Sequence, residues 1–247
     1  MEAMRNIKLT IEYDGANYAG WQKQKNAKTI QQTIEEAIEK VTAEHIDING
    51  SSRTDTGVHA KAYSANFHTN SSIPAERFRE AINSKLPKDI VIMNSEEVEE
   101  DFHARYSSTG KKYCYTILNR KQPPALNRSY VYHYKGMLDI DKMQQASKFF
   151  IGTHDFSAFK NTGSSVKTSV RTITESEVVK CGDVVKYYVA GDGFLYNMVR
   201  IMVGTLLEVG SGKISPEDIV KILSSKDRTK AGKSIPATGL CLEEVYY

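Results

Sequence analysis

An α+β fold built as two similar halves is predicted by three observations on this sequence. Short segments alternate apolar and polar residues, as where Ile7, Leu9, Ile11 and Tyr13 interleave with Lys8, Thr10 and Glu12, the period of a half-buried strand. Other stretches repeat apolar residues at helical spacing, as do Ile30, Ile34, Ala37, Ile38 and Val41. The order strand, helix, strand, strand, helix, strand runs up to residue 105 and is echoed beyond it. Each half contains a hairpin, which a doubly wound parallel sheet would not use. The expectation is therefore two ferredoxin-like β-α-β-β-α-β halves, residues 1–105 and 106–247, with mainly antiparallel sheets flanked by helices. A cleft between the halves is the natural place for a site.

Taken in order, the first strand is Ile7 to Tyr13. Thr29 with Gln32 reads as a capping box that opens the first helix. Strands follow at His45 to Asn49 and Ala62 to His68, then a helix at Ala75 to Ser84 stopped by Pro87, and a strand at Ile90 to Asn94. The second half begins with a strand at Lys112 to Leu118, an added strand at Ser129 to Tyr134 and a helix at Asp141 to Ile151. Its hairpin has arms Val170 to Val179 and Val184 to Ala190 around Cys181, Gly182 and Asp183. An apolar helix, Met198 to Val209, comes next. An inserted helix, Pro216 to Ser224, takes Ser215 as cap, and Cys241 to Val245 is the last strand.

Composition removes several function classes. With 247 residues and 40% hydrophobic content the chain buries a core without staples, and its three scattered cysteines have neither disulfide nor zinc spacing. No run approaches the roughly 18 apolar residues of a membrane span, and the N-terminus has no signal-like apolar region, so a cytoplasmic protein without a membrane partner is expected. There is no glycine-rich phosphate loop and no His-x-His or His-x-x-x-His pattern, which points to a reaction without metal or organic cofactor. Net charge is only +3, so local clustering has to indicate a partner.

The segment SSRTDTGVHA, residues 51–60, places the Asp55 carboxylate among hydroxyls, a guanidinium and a flexible backbone. Two readings follow: a carboxylate held for nucleophilic or base chemistry, or an Asx turn that merely caps a loop. Arg200 sits within the apolar run Phe194 to Leu207, where a guanidinium either snorkels to water or meets an anion. Pairing it with Asp55 would keep that carboxylate ionised. In KKYCYTILNRK, Tyr113, Tyr115 and Ile117 share a strand face while Lys111, Lys112, Arg120 and Lys121 lie at its ends. That pattern suits either a nucleobase with phosphates nearby or a tyrosine-rich core strand. Further basic clusters at Lys23, Lys25 and Lys28, at Lys167 and Arg171, and at Lys226, Arg228, Lys230 and Lys233 favour a polyanion.

Six motifs then occur in one order: YDGANYAGWQ, SRTDTGVHA, DFHARYSSTGKKYCY, GTHDFSAF, NMVRIMVGTLLEVG and PATGL. Through them the chain resembles, over nearly its whole length, the TruA family of tRNA pseudouridine synthases. The resemblance implies isomerisation of uridines at positions 38 to 40 of the tRNA anticodon stem-loop, without cofactor, by a homodimer. It implies Asp55 as the catalytic aspartate, Arg200 as its partner and Tyr113 as the ring that packs against the target base. Arg53 would help hold that base out of its helix, and His59, Lys111 and Lys112 complete the candidate substrate contacts. One departure is Ser52, where the family usually has glycine, which bears on the loop path and on which RNA the loop admits. Two rivals would use the same residues: a non-catalytic RNA-binding relative, and a metal-dependent hydrolase built on Asp14, Asp55 and His59.

Overall fold

The computed structural model describes residues 4–163 and 168–247, which form two compact units. Of the described residues, 4–109 with 241–247 form unit 1, and 110–163 with 168–240 form unit 2. In unit 1 the elements are β1 (Arg5–Tyr13), α1 (Ile30–Thr42), β2 (Asn49–Gly50), β3 (His59–Thr69), α2 (Phe78–Asn83) and β4 (Ile90–Val98). In unit 2 they are β5 (Gly110–Asn119), β6 (Tyr132–Tyr134), α3 (Ile140–Lys148), β7 (Gly152–Asp155), β8 (Val170–Cys181), β9 (Val184–Gly191), α4 (Met198–Gly210) and α5 (Asp218–Ser225). The last strand, β10 (Leu240–Tyr246), returns to unit 1.

In unit 1, β1 lies between β4 and β3, antiparallel to both, and the short β2 pairs antiparallel with β3. This is the split β-α-β arrangement expected of a ferredoxin-like half, with β3 inserted between β1 and β2. One face of the sheet buries Ile7, Leu9, Ile11, Tyr63 and Phe67, and the helices bring Ile30, Ile34, Ile38, Phe78 and Ile82 into the same core. Phe67 and Phe78 meet edge to face at 5.5 Å. Parallel pairing joins β10 to β3 at Cys241 with His59 and Leu242 with Ala60, so the strand the sequence reading set in the second half sits beside His59.

Unit 2 repeats the split: β9 lies between β5 and β8, antiparallel to both, with α3 in the connection. Gln144 of α3 accepts a 2.6 Å hydrogen bond from the Val178 N–H of β8, which docks that helix on the sheet. The β7 strand, absent from the sequence reading, adds to the far side of β8, and β6 runs parallel to β5.

Side-chain chemistry moved several boundaries. The strand expected at His45 to Asn49 shrinks to Asn49–Gly50 because Glu35 takes the Ile48 N–H at 3.1 Å. Glu44, nearby, is occupied with Thr69 and Asn70 rather than with a ladder. The capping box of α1 is half made: Thr29 accepts from the Gln32 N–H at 3.4 Å, but the Gln32 amide turns to Glu36. At α5 the expected Ser215 cap is reversed, for the Asp218 carboxylate accepts from the Ser215 N–H at 2.8 Å. Residues 75–77 form a 3-10 turn leading into α2.

Candidate active site

Asp55 lies in the loop between β2 and β3, half-buried, and the loop is fixed mainly through its backbone. The YDGANYAGWQ segment grips it at both ends. At the front, the Trp21 N–H donates to the Thr54 carbonyl at 3.1 Å, and the Tyr13 hydroxyl shares a 2.9 Å hydrogen bond with Thr54 Oγ1. Gly20, with φ +89°, lies so close to the Thr54 carbonyl that a Cβ would overlap it. At the back, Gly15 packs as tightly on the Val58 carbonyl. Within the loop, the Val58 N–H closes a turn on the Asp55 carbonyl, with Gly57 at φ +79°. Beneath it Trp21 stacks on Tyr63 with ring centroids 3.9 Å apart, and the Tyr63 hydroxyl bonds both the N–H and the carbonyl of Ser52. Ser52 itself has no positive φ, so serine fits this loop without the strain that would demand glycine.

His59, at the start of β3, is only 5% exposed. Its Nδ1 lies 3.0 Å from an Asp14 carboxylate oxygen and 3.2 Å from the Gly15 N–H. A protonated Nδ1 donates to Asp14, and an unprotonated one accepts from Gly15, so either state ties the end of the Asp55 loop to the turn after β1. This burial makes His59 a support of the loop. Arg53, by contrast, is exposed and makes no hydrogen bond or ion pair among the described residues, which leaves its guanidinium available to an RNA phosphate or base. Among the described residues no three His, Cys, Asp or Glu side chains converge as metal ligands, and His59 pairs with Asp14.

In unit 2, Arg200 is half-buried on the apolar helix α4. Its Nε donates to the Ile235 carbonyl and its Nη1 to Asn197 Oδ1, both at 2.6 Å. Asn197 begins the helix in the left-handed conformation, φ 60°, with its side chain turned to Arg200 in place of the helix N-terminus. The PATGL segment supplies the next support, since the Pro236 carbonyl accepts from the Tyr115 hydroxyl at 2.6 Å. Burial raises the Tyr115 pKa, opposed by the nearby Arg200 charge, so this hydroxyl stays a donor. Glycines make room for the contact: Gly204 lies against the Lys233 carbonyl and Gly232 against the backbone of Thr205.

Tyr113 is 7% exposed, and its ring meets Phe194 edge to face at 5.1 Å. Tyr115 and Ile117 are wholly buried, so this strand face, Tyr113 included, belongs to the core. Lys112 pairs with Glu175 at 2.7 Å and lies over Tyr188, while Lys111 is buried. Several other cations that hinted at a polyanion are occupied within the fold. Lys23 bridges Glu35 and Asp47, Arg228 donates to Asn161 and to the Gly232 carbonyl, and Lys226 pairs with Asp155. Lys167 lies outside the described residues.

Comparison with known proteins decides the family. The sequence profile described as tRNA pseudouridine synthase matches residues 9–107 and 146–247. The chain belongs to the TruA family of tRNA pseudouridine synthases. It is 65% identical over 244 residues to the tRNA pseudouridine synthase A 2 of Clostridium perfringens, covering 99% of this chain and 100% of that protein. The tRNA pseudouridine synthases A of Clostridium acetobutylicum and Acetivibrio thermocellus are each 59% identical at the same coverage. As a pseudouridine synthase the protein is an isomerase acting on uridine in tRNA. No helix among the described residues is long and apolar enough to cross a membrane.

What the sequence reading missed at this site is the scaffold around the named residues. In unit 1 its parts are Trp21 and Tyr63, with Asp14 singled out in the sequence only as a ligand of the rival metal site; in unit 2 they are Asn197 and the Ile235 and Pro236 carbonyls. The tight YDGANYAGWQ glycines were the available signal, for glycines at fixed positions mark close backbone approach.

Proposed function

We propose that the enzyme isomerises uridines 38 to 40 of the tRNA anticodon stem-loop, with Asp55 as nucleophile. Arg200 keeps that carboxylate ionised, Tyr113 packs against the flipped base, and Arg53 helps hold the base out of its helix. The reaction breaks the bond from uracil N1 to the ribose C1′ and forms one from C5 to C1′. N1 gains a proton, C5 loses one, and no electrons leave the substrate. Asp55 adds either to the base or to the sugar, and the C5 hydrogen is released on both routes.

The observation that carries this reading is the immobilised Asp55 loop, held at Thr54 and Val58 by the backbone of residues 15–21. A nucleophile works through being held in place before its substrate arrives, whereas a carboxylate that only caps a turn needs no such anchorage. The two fixed hydrogen bonds of Arg200 support its role, because they orient the guanidinium independently of any anion. Flipping a base costs a few kcal/mol, and stacking on a tyrosine recovers about 1 to 3 kcal/mol of it. The enzyme acts in the cytoplasm as a homodimer without metal or organic cofactor in this proposal, and tRNA shape supplies most of the selectivity.

The test is tritium release from tRNA labelled at C5 of uridine, in EDTA, with pseudouridine mapped afterwards. Release without strand scission, with product at positions 38 to 40, is expected. Product at other positions would overturn the target, and dependence on a divalent ion would overturn the cofactor-free reaction.

A further inference from the structure

The segment between β4 and β5 treats its two aromatic residues in opposite ways. Phe102 packs on Tyr247 at 5.0 Å, and Lys8 lies over both rings. Ala104 is buried, its N–H bonded to Asn66 Oδ1 at 2.9 Å and its carbonyl to the Tyr247 hydroxyl at 2.8 Å. Two residues later Tyr106 is 77% exposed. The turn that presents it is held by its own hydrogen bonds. The Ser107 N–H donates to the His103 carbonyl, the His103 N–H to Ser107 Oγ, the Arg105 N–H to His103 Nδ1, and the Ser108 hydroxyl to the Arg105 carbonyl.

Beside the exposed ring stand two groups with their own affinity for flat π-surfaces. The His103 imidazole lies 4.3 Å from the Tyr106 ring centroid, tilted by 42°, and the Arg105 guanidinium lies 5.7 Å from it. Because His103 Nδ1 accepts the Arg105 N–H, the imidazole is locked in orientation. A large apolar ring left in water on a rigid turn, flanked by an imidazole and a guanidinium, is a stacking surface whose ordering cost has already been met.

We propose that the His103, Arg105 and Tyr106 turn is a stacking platform for an unpaired RNA base other than the one being isomerised. The occupant is a base and not a phosphate group, for Glu99, Glu100 and Asp101 are exposed just before the turn and repel a phosphodiester run. Aromatic and guanidinium planes are the surfaces on which proteins stack unstacked RNA bases. The platform rests on the proposed tRNA reaction for its ligand class, and it adds a second grip on single-stranded RNA within unit 1.

The experiment measures Kd of the full-length protein for unmodified tRNA, its salt dependence, and steady-state tritium release, for wild type and for Tyr106→Ala, Tyr106→Leu and Tyr106→Phe. Exposure of the ring makes all three variants foldable, which thermal melting verifies. Loss of stacking raises Kd about tenfold in the alanine variant, and in the leucine variant too, since leucine keeps apolar surface without a π-face. Phenylalanine stays within about twofold. Because stacking releases no counterions, the slope of log K against log salt is unchanged. KM rises with Kd while kcat holds, the signature of binding lost equally from ground and transition states. Equal Kd for wild type and alanine overturns the platform, as does a leucine variant that binds like wild type. A changed oligomeric state in place of changed RNA affinity would reassign the ring to a protein contact. If the wild type released no tritium yet bound tRNA with this Tyr106 dependence, the proposed reaction would fall and the platform would stand.

Discussion

In unit 1 the Asp55 loop is gripped by main chain: the Trp21 N–H on the Thr54 carbonyl, Gly20 pressed on that same carbonyl, Gly15 pressed on Val58. In unit 2 Arg200 is gripped through its own side chain, by the Ile235 carbonyl and by Asn197. The difference follows from reach. A short carboxylate takes its position from the backbone that bears it, whereas a guanidinium at the end of three methylenes must be fixed near its tip or lose its direction. Glycines serve both units, but in unit 1 they seat the loop itself, and in unit 2 Gly204 and Gly232 seat the irregular segment before Ile235, which carries the acceptor.

The largest effect that would break this comparison is at Gly20. Gly20→Ala adds a Cβ onto the Thr54 carbonyl at a residue of φ +89°, and a loss of about 3 kcal/mol of stability is expected from strain and overpacking. Urea unfolding measures it, and wild-type stability would show that the loop is not held by main chain. For Arg200 the contrast is between charge and shape. Arg200→Lys retains the charge but cannot reach both acceptors, so tritium release should fall on the order of 100-fold. A lysine enzyme near wild-type activity would mean that the two fixed hydrogen bonds do not matter. Asn197→Ala, which removes one of them, should cost about tenfold.

A smaller effect sharpens the picture of unit 1. Asp14→Ala removes both the carboxylate beside His59 and the cap on the Ala16 N–H, and about 1 to 2 kcal/mol should be lost in thermal melting. The smallest lies in unit 2 at Asp155, whose carboxyl is held below the ordinary carboxylate range by the Ser157 hydroxyl and then by Lys226. A depressed pKa gives stability that is present above the unfolded value, about 3.9, and is lost as pH falls through the lower folded value. Asp155→Asn should therefore lower the melting temperature at neutral pH and reduce the loss of stability below about pH 4, measured as melting temperature against pH.

Much of this fold was legible because the alternation from Ile7 to Tyr13 and the helical spacing from Ile30 to Val41 report burial directly. What failed was local competition. Nothing in the periodicity of His45 to Asn49 shows that Glu35, ten residues earlier than that segment, will take the Ile48 N–H and leave only two residues to pair. The site divides the same way. Asp55, Arg200 and Tyr113 stand out because a charge or ring of that kind is conspicuous in its segment. Asn197 and the Ile235 carbonyl do not, since their value lies in where the chain folds back and not in what they are. Basic clusters misled in part, for Lys23, Lys112 and Lys226 spend their charge on neighbouring carboxylates.

The most direct test of Asp55 as the nucleophile is tritium release by Asp55→Asn, measured beside its affinity for tRNA. Asparagine preserves the shape of the side chain while removing its charge, so release should be abolished with Kd within a few fold of wild type. Undiminished release in that variant would contradict the account.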